Sequence, residues 1–70
     1  MTTKAPIKGA VRIHRLAPAS DGDAFGFVKR ALESIGWTVL DEDYMIDGDG
    51  FVAYVMVHAW AIPPNREVEQ

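Results

Sequence analysis

The stretch that decides the fold is FVAYVMVHAWAI, residues 51–62, because it is apolar on both faces of a β-strand. Side chains alternate sides along a strand. One face carries mostly small and β-branched residues: Phe51, Ala53, Val55, Val57, Ala59 and Ala61. The other face carries larger ones: Val52, Tyr54, Met56, His58, Trp60 and Ile62. A strand with water on one side alternates apolar and polar residues, so this pattern predicts a strand that is covered on both faces.

One amphipathic helix is predicted over residues 21–35. Ser20 is a suitable N-cap, and Asp23 three residues later completes an approximate capping box. Apolar residues then recur at helical spacing, namely Ala24, Val28, Ala31, Leu32 and Ile35, with Phe25 and Phe27 flanking them. Gly36 stands where a helix end favours a left-handed residue. This helix can cover only one face of a sheet.

Two further strands complete the chain. Residues 7–16 alternate in polarity and predict the first strand, which the segment around Pro18 ends. Residues 37–46 predict the second strand, with the acidic triplet 41–43 weakening and bulging its middle. The sequence DGDG at residues 47–50 is typical of a turn and predicts a hairpin to the third strand. The two prolines at residues 63–64 end that strand, because proline cannot donate to a ladder.

The order β-α-β-β predicts a single α+β domain. A right-handed crossover leaves the first two strands parallel, and the third strand fits between them, antiparallel to both, in the order 1-3-2. We therefore expect a three-stranded antiparallel sheet with one helix packed on one face. The arrangement is similar to the first β-α-β-β segment of a ferredoxin-like fold, which by itself carries no function. The domain spans residues 1–70, with loose ends at residues 1–6 and 63–70.

Composition narrows the class of protein. The 70 residues include no cysteine, which excludes disulfides and thiolate metal sites, and the apolar fraction of 49% is too high for disorder. Residues 1–6 lack an apolar signal region, and residues 51–62 are too short to cross a bilayer as a helix. These features predict a soluble, cytoplasmic protein with no membrane partner.

The face of the sheet opposite the helix is predicted to bind a partner. Its residues are Arg12, His14, Val52, Tyr54, Met56, His58, Trp60 and Ile62, with Leu40, Tyr44 and Ile46 as extensions from the second strand. Tyrosine, tryptophan, methionine and arginine are enriched at interface centres, and such a surface left in water invites aggregation. We therefore expect a homodimer or a complex with a target protein. The alternative is that loops or tails cover this face within the monomer.

Acidic residues gather near the predicted hairpin and form a second candidate surface. They are Asp41, Glu42, Asp43, Asp47 and Asp49, in a chain whose net charge is −3. A very small, acidic, cysteine-free domain with this cluster resembles phage-encoded inhibitors of host defence, such as anti-CRISPR and anti-restriction proteins. The resemblance implies a non-enzymatic inhibitor whose acidic surface blocks nucleic-acid access to a host defence complex. The alternative for the cluster is a solvated hairpin end.

Other chemistry has weaker signals. His14 and His58 can meet across neighbouring strands, but without HxH or HxxxH spacing they predict no metal site and no proton transfer. No nucleophile elbow is present, so we expect neither an enzyme nor a cofactor. Basic residues on the first strand beside Tyr54 and Trp60 leave a small nucleic-acid-binding module as the alternative function. A third candidate function is that of an accessory subunit of a larger complex.

Overall fold

The computed structural model describes residues 5–48 and 52–64. Its elements are β1 (Val11–Pro18), a 3-10 turn (Ala19–Asp21), α1 (Ala24–Glu33), β2 (Thr38–Asp47) and β3 (Tyr54–Ile62). The open sheet has the order β1-β3-β2, and both pairings are antiparallel. The predicted α+β fold and strand order are therefore confirmed. Within the described residues, no helix has the length and apolar character needed to cross a membrane.

The core lies between α1 and one face of the sheet. On β3 it contains four residues of the predicted small-residue face, with Val55, Val57, Ala59 and Ala61 buried. Ala53, predicted on the same face, precedes β3 and is exposed, and Phe51 lies outside the described residues. On α1 the buried residues are Ala24, Phe25, Val28 and Leu32. Ala31 and Ile35, which the helical spacing placed in the core, are exposed. The buried stripe is rotated toward Phe25 because its ring stacks on Tyr44 of β2, with centroids 4.0 Å apart.

Helix α1 begins later than predicted. Its N-cap is Asp23, whose Oδ1 accepts a hydrogen bond from the Gly26 backbone N–H at 3.1 Å. Ser20 instead lies exposed in the preceding 3-10 turn. Gly22 separates the two segments with a φ of 77°, a left-handed conformation that a continuous right-handed helix excludes. The predicted capping box with Ser20 as N-cap is therefore wrong.

Gly36 closes the C-terminal end of the helix, as predicted. The backbone N–H groups of Trp37 and Gly36 donate to the carbonyls of Leu32 and Glu33, each at 3.1 Å. Gly36 has a φ of 99°. These two bonds and the left-handed glycine form a Schellman motif, which turns the chain toward β2.

We expect Gly36→Ala to lower the free energy of unfolding by about 1–2 kcal/mol, because a left-handed residue with a side chain is strained. The new Cβ would also lie 3.0 Å from Pro64 Cβ. Urea unfolding checks this, with Gly22→Ala as the control, since a Cβ at Gly22 meets nothing within 4 Å despite its φ of 77°. Equal losses in the two variants would contradict a contribution from Pro64.

Strand β1 is shifted along the chain relative to the prediction of residues 7–16. The Ala10 backbone N–H donates to the Ile7 carbonyl at 3.3 Å, so this segment forms a turn. Gly9 lies in that turn with a φ of 92°, which no β-strand accommodates. At the other end the strand continues to Pro18, which pairs with Tyr54. Proline is tolerated there because β1 is an edge strand.

Candidate functional site

The sheet face opposite α1 is defined by the pairing of the strands. We call it the open face. Its β1 and β3 residues are Arg12, His14, Leu16, Pro18, Tyr54, Met56, His58, Trp60 and Ile62, and its β2 residues are Thr38, Leu40, Met45 and Asp47. The predicted member Val52 precedes β3 and is exposed, outside the ladder. All other predicted residues from β1 and β3 lie on this face.

Apolar side chains remain exposed in the middle of the open face. Leu16 is 59% exposed, Tyr54 58% and Met45 52%. Met56, which pairs with Leu16, is half-buried between them. Leu16 itself was not among the residues predicted to bind, because the sequence alone assigns it to the end of the first strand. The register of β1 against β3 is what places it beside Met56.

A bulge in β2 changes which residues reach the open face. Leu40 pairs with Trp60 and Met45 with His58, so the four residues 41–44 stand opposite Ala59 alone. The predicted bulge at the acidic triplet is therefore confirmed. The bulge inserts an odd number of extra residues, which moves every later side chain to the other side of the sheet.

This inversion corrects the predicted contribution of β2. Leu40 precedes the bulge and lies on the open face as predicted. Tyr44 instead stacks on Phe25 of α1, and Ile46 pairs with Val57, whose side chain is in the core. The prediction that Tyr44 and Ile46 extend the open face is wrong. Met45 occupies that face in their place.

The bulge also covers Trp60. The Trp60 indole Nε1 donates to Asp43 Oδ2 at 3.2 Å, and Arg12 Nη1 donates to the Asp43 carbonyl at 3.0 Å. The Arg12 guanidinium carbon lies 5.4 Å from the centre of the Trp60 ring, within range of a cation–π interaction. Trp60 is only 6% exposed as a result. At the end of the open face that contains Trp60, Arg12 and the β2 bulge of the same chain therefore cover the sheet.

The predicted acidic cluster is divided between the two sides of the sheet. Asp41 Oδ2 lies 3.8 Å from Lys29 Nζ of α1, whereas Asp43 turns to Trp60 on the open face. Asp47 also lies on the open face, and Glu42 is exposed in the bulge. Asp49 lies outside the described residues. The four described acids therefore do not form one continuous surface.

The two histidines meet on the open face. His14 pairs directly with His58, their rings are edge to face with centroids 4.7 Å apart, and the two Nδ1 atoms lie within hydrogen-bond distance at 2.5 Å. The sequence indicated that these two residues can meet across neighbouring strands, and the register of β1 and β3 places them directly opposite each other. No group of three or more histidine and acidic residues suited to a metal occurs in the described part of the chain.

The second nitrogen of His58 has an acidic neighbour. His58 Nε2 is buried and has no hydrogen-bond partner among the described residues, and Asp47 Oδ2 lies 3.7 Å from it. The carboxylate favours a proton on Nε2, which leaves Nδ1 of His58 as the acceptor. Nδ1 of His14 is then the donor between the two rings.

Comparison with protein-family models, with curated proteins and with solved structures finds no match for this chain. The candidate function is therefore argued from the open face itself.

Proposed function

We propose that this protein is a non-enzymatic protein-binding module that acts through the open face. The observation that carries the proposal is the exposure of Leu16, Met45 and Tyr54, each more than half accessible, around the half-buried Met56. Fully burying one such side chain contributes about 1.5–3 kcal/mol. Large apolar groups surrounded by polar ones are typical of protein interfaces.

A second copy of the chain is the occupant that we expect first. The described part of the chain has two layers and measures 46 × 31 × 16 Å, and α1 covers one side of the sheet and leaves the other in water. An apolar sheet face is stabilised when it packs against another layer. Two copies joined through their open faces would form four layers, with the sheets inside and the helices outside.

The sharper version of the proposal is a phage-type inhibitor of a nucleic-acid-binding defence complex. The small size and the net charge of −3 support it, as do the two carboxylates of Asp43 and Asp47 on the open face. Because Asp41 is directed toward α1, such an inhibitor would contact its target through apolar side chains and these two acids. A continuous acidic row would not be the contact surface.

The nucleic-acid-binding alternative has less support. Arg12 is engaged by Trp60 and Asp43, and Trp60 is too buried to stack on a base. Arg15 pairs with Val57 and therefore projects from the side of the sheet that faces α1. The basic residues of β1 are thus divided between the two faces, and of the two aromatic residues on the open face only Tyr54 is exposed.

Solution mass tests the proposal. We expect wild type to form a dimer of twice the 7.7 kDa chain mass, as measured by light scattering over a range of concentrations. Leu16→Asp should weaken the dimer by about 2 kcal/mol or more, because the carboxylate would be desolvated at the centre of the interface. A wild type that is monomeric at every concentration would overturn self-association.

Ile35→Asp is the matched control. Ile35 is 62% exposed and Leu16 59%, but Ile35 follows α1 and lies away from the open face. The control variant should keep the wild-type mass. If both variants dissociate equally, the interface does not lie on the open face.

A further inference from the structure

The cross-strand histidine pair has the geometry of a metal-binding site. Two Nδ1 atoms converge from directly opposed positions on β1 and β3, within hydrogen-bond distance of each other. Imidazole nitrogen suits Zn²⁺, Cu²⁺ and Ni²⁺, whereas Mg²⁺ and Ca²⁺ prefer oxygen. The histidine pair should therefore bind Zn²⁺, Cu²⁺ or Ni²⁺ in preference to Mg²⁺ or Ca²⁺.

Asp47 supplies the support that a ligating histidine needs. Metal-bound histidines almost always donate their other ring N–H to a carboxylate or carbonyl, which fixes the tautomer and orients the ring. The buried and unpartnered Nε2 of His58 is directed near Asp47 Oδ2, at 3.7 Å. Asp47 is 68% exposed at its side chain, so it can approach further. A buried polar atom without a partner is uncommon, and a small movement of Asp47 would give Nε2 the carboxylate partner that a histidine bound to a metal through Nδ1 needs.

The surroundings leave room for an ion and its waters. Two Zn–N bonds of about 2.0–2.1 Å at a tetrahedral angle place the nitrogens roughly 3.3 Å apart, so the rings must separate by less than about 1 Å. His14 is exposed on an edge strand and can turn to allow this. A shallow hollow lined by His14, Arg15, Leu16 and Met56 opens beside His14. Water would complete the coordination from this side.

We infer that His14 and His58 bind one divalent transition-metal ion of the Zn²⁺, Ni²⁺ or Cu²⁺ class through their Nδ1 atoms, with Asp47 orienting His58. In the bound form both rings are neutral, and the proton of His14 moves from Nδ1 to Nε2. The inference is independent of the proposed protein-binding function. It adds a ligand to the open face whether or not that face binds a second chain.

Titration of the full chain with Zn²⁺, followed by NMR of the imidazole resonances, tests the site. The chain contains two histidines and no cysteine, so the two rings report without interference. We expect both rings to shift together and to saturate at one ion per chain, or at one ion per two chains if copies share it. Mg²⁺ should leave both rings unchanged. Absence of a saturable shift, or a shift of one ring only, overturns the inference.

Variants separate a positioned pair from adventitious binding. His14→Ala should abolish saturable binding as measured by calorimetry, and unfolding curves of the same variant check that it folds. Asp47→Asn should weaken binding about tenfold through loss of the orienting carboxylate. Asp41→Asn, an exposed acid on the other side of the sheet, is the control and should bind as wild type. Wild-type affinity in folded His14→Ala would overturn the site, and wild-type affinity in Asp47→Asn would overturn the role of Asp47.

Discussion

Replacing Trp60 by alanine is expected to lower the free energy of unfolding by about 3–5 kcal/mol. Trp60 is 6% exposed, and its indole is covered by Arg12 and hydrogen-bonded to Asp43. Truncation removes this apolar contact and also frees the bulge of β2 from the open face. Because the free energy of unfolding of a natural domain is only about 5–15 kcal/mol, this substitution would remove a large part of it. Denaturant unfolding, followed by circular dichroism, measures the change.

Asp43→Asn is the matched control for Trp60→Ala. The amide oxygen of asparagine can still accept from the indole, and Arg12 donates to the main-chain carbonyl of residue 43, which the substitution retains. We therefore expect a loss of about 1 kcal/mol or less. A Trp60→Ala loss as small as that of the control would contradict the packing of the indole under the bulge. For the same reason, substitution of Trp60 tests the fold, and the interface is better tested at Leu16.

Phe25→Ala is expected to cost a similar amount, about 3–5 kcal/mol. Phe25 is the residue of α1 that reaches the bulge from the helix side, where its ring stacks on Tyr44 with the planes 17° apart. Its truncation leaves a cavity beside Val28 in the core and removes the stack. Urea unfolding of the variant measures the loss.

A double-mutant cycle isolates the contact between the two rings. Phe25→Ala, Tyr44→Ala and the double variant should give a coupling energy of about 0.5–1.5 kcal/mol, the range of aromatic pairs. Ala31→Gly is a control on the exposed side of the same helix and should cost only about 1 kcal/mol. Additive losses from Phe25→Ala and Tyr44→Ala would show that the stack does not hold the bulge.

Trp60→Ala and Phe25→Ala both test how the β2 bulge is held in place, one from each side of the sheet. Tyr44 contacts α1, and Asp43 contacts Trp60 and Arg12 on the open face. The bulge therefore determines how much of the open face is available to a partner. It closes the end near Trp60 and leaves the part around Leu16, Met45 and Met56 accessible.

Local signals in the sequence were sufficient for the architecture. The two-sided apolar run of residues 51–62 identified the central strand, because it is rich in β-branched and aromatic residues and is bounded by the DGDG turn and the two prolines. Gly36 identified the end of α1, because a left-handed residue is a local requirement. The start of the helix was missed because Ser20 and Asp23 are both good caps, and the conformation of Gly22 decided between them.

The candidate site depended on information that is not local. The sequence placed His14, Met56 and His58 on the open face, because alternation along a strand needs no knowledge of its neighbours. It allowed His14 and His58 to meet across neighbouring strands. The direct pairing of these two residues, and the position of Asp43 over Trp60, depend on the register between strands that are distant in the chain. The size of the bulge also decided that Tyr44 and Ile46 leave the open face. Strand order and face composition were thus determined by local pattern, whereas the histidine pair and the covered tryptophan were decided by tertiary packing, which selects one register among several that the pattern allows.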